Sequence, residues 1–212
     1  MKLFLRFSFA LLLILSAAYS AAGEDALYKT PPPGSAFVRV FNIQSGKPVA
    51  AVSLATANIS QVEPLTSSDF VFVDAKATTS IQIDQQTLPV SLQDGKFHTL
   101  VYDGASLKNI ILEPLTDKRK ALVHLINLTS APADLKTVKG DVAIIPDVKP
   151  ASGGARAINP VKIAFGVFAG GNKIAESPEI FIDRGVSGSL FVFNQAGSIK
   201  TLWTEDTLST EK

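Results

Sequence analysis

The chain has 212 residues, with 20 basic against 19 acidic side chains, two histidines and no cysteine. Such a balance excludes recruitment of a polyanion by long-range field alone, which needs a large excess of one charge. The missing cysteines exclude disulfide staples and thiol chemistry, so stability must come from apolar burial.

The first predicted element is an export signal. Lys2 and Arg6 flank the start of a short apolar run, Phe7 to Leu15, and small residues follow from Ser16 to Ala22. Signal peptidase accepts small side chains at −3 and −1, so cleavage after Ser20 or after Ala22 fits a signal peptide over 1–22 and a periplasmic destination. The run is shorter than the roughly 20 apolar residues that span a bilayer. Loss of Lys2 and Arg6 leaves 18 basic against 19 acidic residues, a net charge of −1. About 190 remaining residues suffice for one large core or two small ones.

Gly23 to Ser35 contains Pro31-Pro32-Pro33-Gly34, which favours an extended polyproline II lead-in. Beyond it, no stretch holds apolar residues at i, i+3, i+4 and i+7 for three turns. Short β-branched and aromatic runs recur instead, broken by Gly, Pro, Asn and Asp. They predict strands near 36–42, 49–54, 69–74, 79–83, 87–92 and 97–102, then near 121–127, 133–138, 142–145, 161–168, 178–182 and 188–193. Asp94-Gly95 and Gly170-Gly171-Asn172 read as hairpin turns. Residues 150–159 read as a Gly-rich loop, a place where function often sits. The polar end, 204–212, is expected to fray. Strand length and spacing predict an all-β chain of two tandem antiparallel β-sandwich domains. Parallel pairing is not expected, because nothing supplies crossover helices.

The two-domain reading rests on a repeat. Ala36 to Asn42 is AFVRVFN, and Ala121 to Asn127 is ALVHLIN. Gly95 to Tyr102 has a counterpart in Gly188 to Phe193, and Ser80 to Ile83 has one in Lys162 to Phe165. The order of strands therefore recurs. It predicts an N-terminal domain over 23–114, including the proline-rich lead-in, and a C-terminal domain over 115–203. Glu113 to Lys120 has the composition of the short linker between them.

Chemistry-bearing motifs are sparse. His98 and His124 both fall within strand patterns, and two separated histidines without cysteine do not make a metal cluster. Gly185-Val-Ser-Gly-Ser189 lacks the final glycine of G-x-S-x-G, whose glycines let the nucleophile turn form. Gly153-Gly154 is not followed by the Lys-Ser or Lys-Thr pair of a phosphate loop. Neither a catalytic residue nor a cofactor is expected, and the candidates are surfaces.

Within 36–42, Phe37, Arg39 and Phe41 share one face, and Leu122, His124 and Ile126 do the same in the repeat. A polar residue thus sits between two large apolar ones in both copies. One reading is a docking face, with Arg39 meeting a carboxylate on a partner or a sugar acid. The other, which the sequence favours, is an inner face with Arg39 near an edge, its head reaching water. Lys118, Arg119 and Lys120 form the one compact basic cluster, able to touch a polyuronate or to serve as a solvated connector. Tyr28, Tyr102 and Trp203 could stack on sugar rings, and Trp203 could equally close the second core.

One string is unusual enough to suggest a family. Leu27-Tyr28, then Pro31-Pro32-Pro33-Gly34-Ser35-Ala36-Phe37-Val38-Arg39-Val40 and Asn42, resembles the opening of the periplasmic F component of bacterial alginate O-acetylation. Ile158-Asn159-Pro160-Val161-Lys162, running into Val167-Phe168 and a Gly-rich turn, is similar to that family's second half. The resemblance implies a periplasmic accessory protein required to acetylate mannuronate residues of alginate. Its implied partners are periplasmic and membrane-bound acetyltransferase components, which carry the chemistry, and direct binding of alginate, as by a carbohydrate-binding module, is the alternative. The family string brings no catalytic motif, and Tyr28, Pro33, Gly34, Ser35 and Arg39 match it without an assigned role.

Overall fold

Runs of β-branched and aromatic residues fold as strands throughout the described residues. The computed structural model describes residues 31–209, and every regular element among them is a β-strand. In chain order, the first half forms β1 (Ser35–Asn42), β2 (Val52–Ser53), β3 (Asn58–Ile59), β4 (Thr66–Ser67), β5 (Val71–Asp74), β6 (Ser80–Ile83), β7 (Gln86–Pro89), β8 (Phe97–Tyr102) and β9 (Leu107–Leu112). The second half forms β10 (Ala121–Leu128), β11 (Ala133–Thr137), β12 (Ala143–Val148), β13 (Ser152–Ile158), β14 (Val161–Ile163), β15 (Phe165–Ala169), β16 (Asn172–Glu176), β17 (Ile180–Ile182), β18 (Ser187–Gln195) and β19 (Ser198–Glu205).

Each half is a sandwich of two sheets, and the two halves repeat one topology. In the first, β1 pairs with β4 and β5 on one side and with β8 on the other, and β9 follows β8. In the second, the order is β13-β10-β18-β19. The opposing sheets are β3-β2-β6-β7 and β12-β11-β15-β16, and β14 and β17 add a two-stranded sheet to the second half. The strand-ending asparagines of the repeat do equivalent work. Asn42 Nδ2 donates to the carbonyls of Lys47 and Val62, and Asn127 Nδ2 donates to those of Ala131 and Val148. Each fixes the loop that follows its strand.

Three apolar clusters follow from this arrangement. The first lies between the sheets of the N-terminal half, around Val38, Val40, Ile81, Ile83 and Leu100. The second lies between those of the C-terminal half, around Val123, Leu125, Leu135, Phe165 and Leu190. A third joins the halves: Phe41, Val101, Ile110 and Leu112 meet Ile126, Phe191 and Phe193. The Phe41 and Phe191 rings stack with centroids 4.4 Å apart. Because β1 and β10 are covered on both faces, their sequences are nearly continuous apolar runs and not clean alternations.

Four expectations change in detail. Each half contains a parallel pair, β1 with β8 and β10 with β18. The crossover that parallel pairing needs is made by strands of the opposing sheet, so no helix is required. Asp94-Gly95 is a turn, but it joins β7 to β8 in a different sheet and closes no hairpin. The Gly-rich segment expected as a loop is the body of β13, paired with β10 along seven positions. Its glycines permit close packing on both faces. A Cβ on Gly153 would lie 2.6 Å from Leu112 Cδ2 of the first domain, and one on Gly154 would lie 2.6 Å from Ile145 Cγ2. Finally, the end expected to fray is strand β19 to Glu205. Beyond it the Phe70 N–H donates to the Thr207 carbonyl, and the Ser209 N–H donates to the Phe70 carbonyl.

Candidate functional site

The two polar-centred stripes of the repeat are a docking face, and they dock on each other. Arg39 of β1 lies beside Thr99 of β8, and His124 of β10 lies beside Ser189 of β18. Both pairs point away from their own sandwich core and into the seam between the domains. The chain end then brings Asp206 between them.

Every charged position in this seam is matched. Arg39 Nε donates to Thr99 Oγ1 at 2.9 Å, Nη1 to Asp206 Oδ1 at 2.8 Å and Nη2 to Ser189 Oγ at 2.7 Å. Ser189 Oγ in turn donates to Asp206 Oδ1 at 2.7 Å. His124 Nδ1 stands 3.0 Å from Asp206 Oδ2, and its Nε2 stands 3.1 Å from the Glu113 carbonyl. Both ring nitrogens face oxygen atoms, one on each domain. Phe70 and Phe191 close over the guanidinium, with ring centroids 4.4 and 5.0 Å from Arg39 Cζ. Such contacts add cation–π attraction where water is excluded.

Burial and partners oppose each other on these groups. Burial pulls the Arg39 guanidinium below its usual range, against the charge and hydrogen bond of Asp206. Burial likewise pushes the Asp206 carboxyl up, but the hydrogen bond from His124, the charges of Arg39 and His124 and the Ser189 hydroxyl together hold it below the ordinary carboxylate range. The site is an ionic lock between domains.

Ser, His and Asp meet here, yet their geometry is not that of a nucleophile relay. Relay chemistry needs the serine hydroxyl on the histidine and the carboxylate behind it. Here Ser189 and His124 both address the carboxylate, and their side chains are buried.

The remaining expected residues scatter. Arg39 is fully buried, so its expected contact with a partner or polymer is corrected: the carboxylate it meets is Asp206 of its own chain. Nor does it lie at an edge reaching water. Tyr28 lies outside the described residues. Lys118 and Arg119 are exposed beside the start of β10, Arg119 paired with Asp117 at 3.0 Å, and Lys120 Nζ donates to Asn159 Oδ1 at 2.6 Å. Trp203 is half-buried on β19, its ring laid against Gly188, where a Cβ would come within 2.1 Å of the indole. It faces Phe165 at 6.3 Å and closes the second core. Tyr102 is buried, its hydroxyl donating to the Gly104 carbonyl at 3.0 Å. His98 is a loop clamp: Nε2 accepts the Gln93 N–H at 3.0 Å while Nδ1 donates to Asn109 Oδ1 at 3.0 Å.

A cleft of about 330 Å³ lies on the first domain beside the chain end, lined in the main by Asn58, Ser60, Gln61, Ser68, Asp69 and Ser209. None of the sequence-expected residues lines it. Among the described residues, no three His, Cys, Asp or Glu side chains are placed to hold a metal ion, and no helix is long and apolar enough to cross a membrane.

Comparison with known proteins bears on what this architecture serves. Residues 10–188 match a family model described as "Alginate O-acetyl transferase AlgF". The chain is 36% identical over 202 residues to the alginate biosynthesis protein AlgF of Pseudomonas aeruginosa, covering 94% of this chain and 92% of that one. It is 35% identical to the Azotobacter vinelandii protein of the same name, covering 87% of this chain and 85% of that one. Among solved structures, it is similar to the C-terminal domain of the Pseudomonas aeruginosa protein, at 34% identity and TM-score 0.38, over 41% of this chain and 98% of that one. The N-terminal domain of that protein gives 30% identity and TM-score 0.31, over 40% of this chain and 100% of that one.

Proposed function

Because the chain belongs to the AlgF family of alginate biosynthesis proteins, we propose that it is a non-catalytic periplasmic adaptor for O-acetylation of alginate. In this reading it holds acetyltransferase components together near the polymer and contributes no bond-making group. Tethering raises the effective concentration of one partner at another without new chemistry. Mannuronate residues are the acceptors, as the family resemblance implies.

The observation that carries the reading is the use of Ser189, His124 and Asp206. They are the residue types of a nucleophile, a base and a carboxylate, yet each meets a group of the first domain, Ser189 and Asp206 the Arg39 guanidinium and His124 the Glu113 carbonyl. A joined pair of sandwiches presents its outer surfaces at fixed spacing, which is what a scaffold needs and a single small domain lacks. The near-balanced charge of the exported chain suits protein contacts better than capture of a polyanion.

The test is calorimetric titration of the mature chain with the purified periplasmic acetyltransferase of an alginate-producing strain, and separately with mannuronate oligomers. The adaptor reading expects saturable binding to the enzyme. Binding to oligomers alone would replace it with a carbohydrate-binding module.

A further inference from the structure

One end of the second domain carries an exposed aromatic ring next to a turn that the fold lays against a basic stretch distant in sequence. β10 and β18 start side by side there, Leu122 opposite Ser187, and β13 ends beside them, Ile158 opposite Ala121. The Gly185 N–H donates to the Lys120 carbonyl at 2.8 Å, and a Cβ on Gly185 would lie 3.7 Å from the Lys118 carbonyl oxygen. The Asp183–Gly185 turn therefore lies against Lys118 to Lys120, which stand more than 60 positions away in sequence. Next to that turn, β14 and β17 form their own two-stranded sheet, with Lys162 opposite Phe181.

Phe181 is 61% exposed. An aromatic ring left in water at a strand centre is not explained by its own fold, because the neighbours Ile180 and Ile182 already supply the buried contacts of β17. Lys162 stands opposite Phe181, Arg184 follows three positions later in the adjoining turn, and Lys118, Arg119 and Lys120 belong to the stretch against which that turn lies. Arg119 pairs with Asp117 and Lys162 with Glu179. Asp183 Oδ1 is occupied by the Arg184 backbone N–H at 2.6 Å. Lys118, Lys120 and Arg184 have no salt-bridge carboxylate among the described residues, Lys120 resting on the neutral Asn159 amide.

We propose that this end is the surface through which the chain docks on a folded protein partner, Phe181 entering an apolar pocket rimmed by carboxylates that meet Lys118, Lys120 and Arg184. The inference rests on the adaptor reading and names the contact face for it. Aromatic and arginine side chains at the centre of a patch dominate binding energy, and surrounding charges set partner choice and association rate. A protein fits better than a polysaccharide because the feature is a single projecting ring. Polymer sites are grooves with successive stacking platforms, and the cleft beside Asn58 and Asp69 lies on the other domain.

The test uses the mature chain and the purified periplasmic acetyltransferase as probe. Four proteins are compared: wild type, Phe181→Ala, the double variant Lys118→Glu/Arg184→Glu, and Lys47→Glu on the exposed surface of the first domain as a control. All substituted positions are at the surface, so melting temperatures should match wild type and any loss reads as contact. We expect Kd to rise about tenfold or more for Phe181→Ala and for the double variant, and to stay unchanged for Lys47→Glu. Wild-type binding should also weaken as salt rises from about 0.05 to about 0.5 M, with a shallower slope in the double variant. Equal binding by all four proteins would overturn the surface while leaving the adaptor reading intact. No binding by wild type would overturn both. Retained enzyme binding with loss of mannuronate-oligomer binding would overturn it in favour of a polymer site.

Discussion

Replacing Asp206 by Leu removes the one carboxylate of the interdomain lock and leaves the Arg39 guanidinium in place. Arg39 is wholly buried and would keep only the Thr99 and Ser189 hydroxyls as hydrogen-bond partners, beside the Phe70 and Phe191 rings, while His124 would lose its Nδ1 partner. Breaking a buried ion pair from one side costs about 3–5 kcal/mol, because the remaining charge is left uncompensated. For a chain of this size each kcal/mol lowers the melting temperature by roughly 2–4 °C, so a fall on the order of 10 °C is expected. Urea and thermal unfolding of the mature chain measure it. The logic is sharpened by adding Arg39→Met. Removing the stranded charge should recover part of the loss, since apolar replacement of a whole buried pair is often neutral. The reasoning is refuted if Asp206→Leu costs less than about 1 kcal/mol, the value of an exposed pair. It is equally refuted if the double variant is less stable by the sum of the single losses, which would mean the groups act independently.

Three further outcomes follow from the same seam and the second core. The Asp206 carboxyl sits below its ordinary value of 3.8 in the folded chain, so its contribution is complete above that value and fades as pH falls through the folded one. Unfolding free energy should therefore drop below about pH 4 in wild type, with a smaller drop in Asp206→Asn. Gly188→Ala would drive a methyl into the indole of Trp203, at a cost of about 1–3 kcal/mol. As Trp203 is the only tryptophan, its emission should shift to the red in native buffer. Gly153→Val would push β13 off Leu112 and Ile110 of the first domain. Hydrogen exchange should then show faster opening of β9 and β13 than of β11 and β15, whereas uniform protection would contradict the packing.

The sequence carried most of the sheet plan. β1, β8, β10 and β18 are long runs rich in apolar residues, and their repeat order foretold the shared topology because each copy must cover the same two faces. The polar residue centred in each apolar stripe marked both places, but the favoured reading was an inner face with Arg39 reaching water, and the docking alternative looked to an outside partner. What could not be read was the occupant: Asp206 lies 167 positions from Arg39, in a polar tail with no local pattern to mark it. β13 was hidden for a different reason. Its glycines carry no side chain to display an alternation, and the close approach that requires them exists only once Leu112 and Ile145 are in place. Parallel pairing was missed because the usual crossover is a helix, whereas here the opposing sheet provides it. Phe181 and Arg184 fell within a short Pro-flanked strand and a turn, and nothing local ties them to Lys118.

The account depends most on the absence of independent acetyl transfer. Incubating the pure mature chain with an activated acetyl ester and mannuronate oligomers, then weighing the oligomers by mass spectrometry, addresses it directly. The expected result is no acetylated product from this chain alone and more product when it is added to the acetyltransferase. Acetylated oligomers from the chain alone, lost on Ser189→Ala in a protein that still folds, would contradict it.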